Sequence, residues 1–310
     1  MKNKGLTFKS DFGEIVYDCY IPKDFNKKVI QIAHGMVEHK ERYEWLCERL
    51  TQAGYKVYIN DHRGHGDSIG GGIYLGEMGK DGFENAVKDM LTLNQIIREE
   101  NENVKIILLG HSMGSLLSRR FLQLYEDKID ALILSGTPSP NFFAGFGSRL
   151  SFFLKKVSFN RFLQTKMQRL INRLVLGNFN SRFHHLSPKS ASHWICSNKD
   201  VVRDYDNDKK CQFIFSLNSF ENLLKGLKQV FSDYPDVKKT TLPILFLSGK
   251  EDACGGFGKG AKRAYKHICD QGYSDVSLYL YPLCRHEVFN ETNKEQYLQD
   301  MLEWLKSHQL

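Results

Sequence analysis

The pentapeptide Gly110-His111-Ser112-Met113-Gly114 constrains the fold of this chain more than any other stretch, because of what flanks it. Before it runs an apolar segment containing Val104, Ile106, Ile107, Leu108 and Leu109, and after it Leu116 and Leu117 open a helical pattern. A serine at a strand-to-helix junction, with glycine two positions away on each side, sits on a sharp strained turn that pushes its hydroxyl out of the fold. The glycines are required because a side chain at either place would strike the neighbouring strand or helix, and strained backbone costs least without a Cβ. The pattern predicts an exposed, reactive Ser112. The alternative is a serine in an ordinary glycine-rich turn, and the flanking strand and helix argue against it.

The same alternation extends along most of the chain. Leu6 to Ser10 and Glu14 to Ile21, separated by Asp11-Phe12-Gly13, read as an opening hairpin. Compact apolar runs at Lys28 to Ala33, Tyr55 to Asn60, Val104 to Leu109, Asp130 to Ser135, Leu242 to Leu247 and Val276 to Tyr281 read as strands buried on both faces of a parallel sheet. Helical patterns intervene at Glu41 to Ala53, Gly82 to Glu99, Ser115 to Tyr125, Gly258 to Asp270 and Glu295 to Ser307. This order predicts an α/β fold with a mostly parallel, doubly wound sheet, in which ligands collect beyond the carboxyl ends of the strands.

The alternation breaks over residues 139–237, which read as an inserted helical cap on a discontinuous core of residues 1–138 and 238–310. The first half of the insertion is rich in phenylalanine. Most of these rings are expected to pack on one another, with Phe142, Phe143 and Phe146 lining a substrate cavity. In Asn160 to Leu176, the apolar residues Leu163, Met167, Leu170, Ile171 and Leu174 recur at helical spacing, while Lys166, Arg169 and Arg173 share another face.

Charge sharpens this picture. The formal net charge is +7, yet no Asp or Glu occurs between Ala131 and Lys199, where ten Lys and Arg residues fall. Such a segment is either a solvated basic face or one attracted to an anionic surface such as a phospholipid headgroup layer. No helix-turn-helix, zinc or aromatic RNA-binding signature accompanies the charge, so nucleic acid is not an expected partner. Gly70-Gly71-Gly72 and Gly255-Gly256-Phe257-Gly258-Lys259-Gly260 lack the spacing of phosphate or dinucleotide loops, and no cofactor or metal is expected. The seven cysteines form no C-x-x-C pair and Met1 to Gly13 has no apolar signal core. Both features predict a reducing, cytoplasmic setting.

A serine hydroxyl needs a base within hydrogen-bond reach and a carboxylate to hold that base. Among eleven histidines, His286 lies in the loop after the last predicted strand, at the edge where Ser112 emerges. His34, His62, His65 and His111 also lie in carboxyl-edge loops, but beside glycine turns that suit local hydrogen bonding. Asp252 follows the strand Leu242 to Leu247 and precedes His286, completing the chain order Ser, Asp, His. Glu251 is its nearest rival and is expected to point the other way. Backbone N–H groups of Met113 and of Met36 are the expected donors to a developing oxyanion, and Gly35 and His111 are expected beside the substrate.

Four stretches together resemble the monoacylglycerol lipase and lysophospholipase branch of the α/β-hydrolase family. They are His34-Gly35-Met36-Val37-Glu38-His39 with Arg42-Tyr43; Asp61-His62-Arg63-Gly64-His65-Gly66-Asp67-Ser68; Gly110 to Gly114; and Arg285-His286-Glu287 with Asn290-Glu291. The resemblance implies a capped serine hydrolase cleaving fatty-acyl esters. Ser112 would attack, His286 would shuttle the proton, Asp252 would orient the imidazole, and Met36 with Met113 would hold the oxyanion. Val37 departs from the branch, which often has glycine there. Competing readings on the same triad are a short-chain carboxylesterase, a thioesterase or an aminopeptidase-like hydrolase. A non-catalytic ligand-binding member of the fold is the alternative from another class.

Overall fold

A computed structural model describes residues 1–69, 74–139 and 161–310, the side chains of Arg161 and Phe162 excepted. Phe142, Phe143 and Phe146 lie outside the described residues, as does Gly70-Gly71-Gly72. The described strands are β1 (Lys2–Ser10), β2 (Gly13–Tyr20), β3 (Lys28–Ala33), β4 (Lys56–Asn60), β5 (Lys105–His111), β6 (Ala131–Ser135), β7 (Ile244–Gly249) and β8 (Val276–Tyr281). They form one sheet in the order β1-β2-β4-β3-β5-β6-β7-β8. β2 runs antiparallel to both its neighbours, and β4 through β8 are parallel.

Alternation along β5 shows why these apolar runs become buried strands. Ile106 and Leu108 face a core shared with α2 (Gly82–Glu100), α3 (Met113–Tyr125) and α7 (Lys259–Asp270). Ile107 and Leu109 face the opposite core, shared with α1 (Glu44–Gln52) and α8 (Lys294–Ser307). Both faces are covered, so each apolar side chain leaves water, worth about 1.5–3 kcal/mol apiece. β8 departs from this expectation. It is an edge strand, with no further strand paired to it among the described residues, and Val276 to Leu280 are only partly buried.

The strand order reverses at β3, which has β4 on one side and β5 on the other. The loops after β3 and β5 diverge there and open the crevice in which a doubly wound sheet binds ligands. The turn at the end of β5 is built as its glycines require. Ser112 takes φ 52°, ψ −117°, a strained conformation for a residue with a side chain. A Cβ on Gly114 would strike the carbonyls of Ala33 and His34, and one on Gly110 would strike the Gly114 carbonyl and the Ser118 hydroxyl.

Between β6 and β7 lie α4 (Arg161–Leu176), α5 (Lys199–Asn207) and α6 (Leu217–Gln229). Asn198 caps α5 by accepting from the Asp200 amide, and Ser216 caps α6 by accepting from the Ser219 amide. α6 packs on α2 and α3, where Gly226 lies flat against the Phe83 ring. In α4, Ile171 is buried and Met167 packs against the core, but Leu170 and Leu174 are exposed beside Arg169 and Arg173. The apolar stripe of that helix is thus split between core and solvent, its buried part facing the core to which α6 contributes.

Gly114→Ala adds one methyl against backbone that cannot yield. It should destabilise the protein by about 1–3 kcal/mol despite the better helix propensity of alanine. Urea unfolding reads this directly, and an unchanged midpoint would refute the close-approach argument.

Candidate active site

Three carboxyl-edge loops converge at the crevice. The first is the strained turn itself, tied to β6 by a 3.0 Å bond from the Ser112 amide to the Ser135 carbonyl. The second follows β7, where Asp252 is wholly buried, and the third follows β8 and carries His286. The last two loops touch at Gly249, where a Cβ would collide with the Cys284 and Arg285 carbonyls. The result is a linear relay. Ser112 Oγ lies 2.8 Å from His286 Nε2, and His286 Nδ1 lies 3.0 Å from Asp252 Oδ1. Asp252 Oδ2 is buried with no hydrogen-bond partner among the described residues, so the imidazole is the carboxylate's principal contact. Glu251 turns away, its carboxylate 3.8 Å from Arg285 Nε.

The His286 ring is packed between Trp194 and His111, with centroids 4.9 Å and 4.8 Å away. Burial alone lowers its basicity, but the negative charges of Asp252, Glu287 and Glu38 outweigh burial and hold the imidazole above its ordinary range. At the other rim histidines burial wins, even at His111, where Glu287 and Asp252 oppose it. Burial pushes His62 and His111 down to about 3 and His65 down to about 4, and carries His34 well below its usual value. They stay neutral. His34 accepts from the His62 amide at Nε2 and donates from Nδ1 to the Gly35 carbonyl, which makes it a brace between two loops. Asp61 braces the same region, accepting from the Lys40 and Asp67 amides.

The loop after β3 runs beside the serine. A Cβ on Gly35 would meet Glu38 Oε1 and come within 3.1 Å of the Ser112 Cβ. Met36 and Met113 line the same cavity, and none of the turn or loop backbone hydrogen bonds of the described residues uses their amides. Val37 has φ 60°, a left-handed backbone that glycine adopts freely and a β-branched residue adopts at a cost of about 1–3 kcal/mol. Tyr205 of α5 donates its hydroxyl to the Val37 carbonyl at 3.0 Å and helps hold that conformation.

A buried ion cluster joins the loop after β3 to the loop after β8. Arg42 makes a bidentate pair with Glu287, at 2.7 and 2.8 Å, and a 2.8 Å bond to Glu38. Glu38 in turn accepts from the Tyr43 hydroxyl and from the Gly35 amide. Burial raises the Glu38 carboxyl and the nearby Glu287 charge adds to this, whereas Arg42 overcomes burial at Glu287 and keeps it low. Sequence reasoning placed Glu38, Arg42 and Glu287 in shared motifs without a role, since nothing along the chain says that residues so far apart form one pair. Trp194 carried no signal at all. Arg285 is likewise a fastener, donating to the His193 and Cys196 carbonyls.

The serine, imidazole, Gly35 and His111 all border a cavity of about 800 Å³ whose walls include Leu116, Val175, Phe179, Trp194, Phe213 and Leu224. None of the seven cysteines is disulfide-bonded. A hydroxyl hydrogen-bonded to an imidazole, which is in turn held by a buried carboxylate, can be deprotonated during attack on an acyl carbon.

Fold and site together define an α/β-hydrolase. Its sequence relatives narrow this to the branch of monoacylglycerol lipases and lysophospholipases. The chain belongs to the family described as serine aminopeptidase, S33, whose profile matches residues 25–293. It is 28% identical over 294 residues to the monoacylglycerol lipase of Mycolicibacterium smegmatis, covering 95% of this chain and 93% of the relative. The human monoglyceride lipase is 27% identical over 232 residues, covering 74% and 67%. A thermostable carboxyl esterase from Bacillus coagulans shares the fold with TM-score 0.87 at 24% identity, covering 99% and 98% of the two chains.

Replacing Arg42 with methionine leaves two buried carboxylates facing each other. Stability at pH 7 should fall by about 3–5 kcal/mol. In this variant the folded state holds protons on Glu38 and Glu287 that the unfolded chain has released, so part of the loss should return as pH drops towards 5. Urea midpoints across pH check both size and sign.

Proposed function

We propose that this protein hydrolyses fatty-acyl esters, monoacylglycerols or lysophospholipids, through an acyl-enzyme on Ser112. The observation that carries this reading is the Ser112–His286–Asp252 relay opening into a mostly apolar cavity. Ser112 Oγ attacks the acyl carbonyl while its proton passes to His286 Nε2, and Asp252 holds the Nδ1–H and stabilises the imidazolium. The amides of Met36 and Met113 receive the oxyanion. Collapse of the tetrahedral adduct returns the proton to the leaving alcohol, and water then releases the fatty acid by the same route. The described insertion residues that border the cavity, among them Val175, Phe179, Trp194, Phe213 and Leu224, wall the acyl chain as part of a cap.

The aminopeptidase chemistry in the family's description is less well supported. An α-amine needs an unpaired carboxylate, and the described carboxylates bordering the cavity, Glu38 and Glu287, are both engaged by Arg42. Apolar walls favour an acyl chain instead, by up to about 0.8 kcal/mol for each methylene buried. In a series of monoacylglycerols and lysophospholipids, kcat/KM should rise by up to about fourfold per methylene until the cavity is filled. Activity confined to two- or three-carbon esters, or to amides, would reject the lipid reading. A fluorophosphonate probe should label the wild type and not Ser112→Ala, whereas an unlabelled wild type would identify a binding protein.

Because Asp252, Glu287 and Glu38 hold His286 above the ordinary histidine value of 6.5, the base is lost to protonation early on the acid side. The acid limb of kcat/KM should have its midpoint above 6.5. In Asp252→Asn, which should lower kcat by about 10⁴-fold, that limb should move to lower pH. A limb that stays in place would break the assignment of the base.

No helix among the described residues is long and apolar enough to cross a membrane. Access to a lipid substrate is instead assigned to α4, where exposed Leu170 and Leu174 lie beside Arg169 and Arg173. Such a face suits shallow docking on anionic lipid. Cosedimentation with phosphatidylserine vesicles should weaken sharply with salt, and binding indifferent to ionic strength would dismiss it.

A further inference from the structure

The loop after β3 does not end at the serine. Three residues past Met36 it buries the imidazole of His39, only 3% exposed, against the segment that links α5 to α6. There His39 Nε2 meets Asp208 Oδ2 at 2.7 Å, and Cys211 Sγ, on a residue 2% exposed, completes a group of ligand atoms all within 4.8 Å of one another. The opposite ring nitrogen, Nδ1, is buried without a hydrogen-bond partner, although the Glu41 carboxylate stands 3.4 Å away. Imidazole, thiol and carboxylate are the mixed N, S and O donors that a borderline-soft divalent ion takes, and a thiol in the set selects against magnesium and calcium.

We propose that His39, Asp208 and Cys211 bind one zinc-type divalent cation, bridging the loop after β3 and the segment after α5. His39 donates its Nε2 lone pair to the ion, its proton moving to Nδ1, where Glu41 accepts it and fixes the ring. Cys211 releases its thiol proton to solvent as the metal–sulfur bond forms. Asp208 supplies one carboxylate oxygen, and three protein ligands leave a fourth position for water. Metal–nitrogen and metal–oxygen bonds of about 2.0 Å set the two ligand atoms about 3.3 Å apart, so the 2.7 Å His39–Asp208 contact opens slightly. Asp208 can give way, since its side chain is 32% exposed, and the ion enters past it. The neighbouring cations are already engaged: Lys210 with Asp67 and Glu41, Arg42 with Glu287 and Glu38. The site shares no residue with the relay, and an ion there ties the loop bearing Met36 to the insertion.

Titration of the full-length, reduced protein with Co²⁺ tests this. The wild type should develop a thiolate-to-cobalt charge-transfer band at one equivalent, with the intense visible bands of a tetrahedral ion, and Zn²⁺ should displace both. Ser112→Ala should behave as wild type. Cys211→Ser should lose the charge-transfer band, and Asp208→Asn, which can keep the side-chain oxygen that accepts from the Lys210 amide, should weaken binding at least tenfold. Zinc should raise the melting temperature of the wild type in a concentration-dependent way and not that of Cys211→Ser. A folded wild type without the charge-transfer band overturns the proposal, as do equal cobalt affinities in the wild type and Asp208→Asn.

Discussion

The bidentate pair between Arg42 and Glu287 is the interaction on which the catalytic rim depends. A relay assembled from the ends of β5, β7 and β8 has no covalent reason to stay aligned, and loops wander unless something buried fixes them. Arg42 comes from the 3₁₀ turn that leads into α1, and Glu287 is the immediate neighbour of His286. Closing their two parallel bonds sets the loop after β8 against the loop after β3. Glu38 extends the cluster to the Gly35 amide, so the chain that carries Met36 is held by the same cation. A lysine would not serve, because one ammonium cannot make the planar double contact and reach Glu38 as well.

That cluster also sets the chemistry. It carries one cation against two carboxylates, so its net charge beside His286 is negative while both are ionised. In the proposed mechanism, the imidazolium formed during attack would therefore meet Asp252 on one side and a negative cluster on the other. At the remaining rim histidines, equally buried, burial outweighs whatever carboxylate stands nearby, Asp61 beside His34 and Glu287 and Asp252 near His111, and the rings remain neutral. A base and a structural histidine thus differ here by neighbours, not by depth.

This division explains what could be read from the sequence. The strand runs, the glycine spacing around Ser112 and the loop positions of Asp252 and His286 are local patterns, and local sterics decide them. Gly110 and Gly114 are legible because each is forced by a carbonyl that the strand–turn–helix geometry always brings close. Even Val37 was visible as an oddity, and its left-handed backbone supplies the reason. The edge status of β8 was not legible, since its composition matches that of the covered strands and only the sheet order leaves one of its edges unpaired. Nor were the Arg42–Glu287 pair or the Trp194–His286 contact, whose partners lie 245 and 92 residues apart and are brought together by topology alone. The split stripe of α4 belongs with these: helical spacing reveals an apolar face, but not how much of it finds a partner.

The segment around Trp194 shows how tightly cavity and relay are coupled. The Glu287 amide donates to the Ile195 carbonyl, Arg285 to the His193 and Cys196 carbonyls, and the Ser197 amide to Glu291. Four of the five positions from His193 to Ser197 thus bracket the loop that carries His286, and the fifth, Trp194, lies on its ring while also forming the cavity wall. Backbone carbonyls and one backbone amide fix position whatever side chains the insertion carries, so the rest of it can diverge without disturbing the relay. The converse holds for Trp194 itself: a smaller residue there enlarges the cavity and frees one face of the imidazole in the same stroke. If the proposed function holds, acyl-chain selectivity and the orientation of the base would therefore be set by one side chain and could not be adjusted independently at that position.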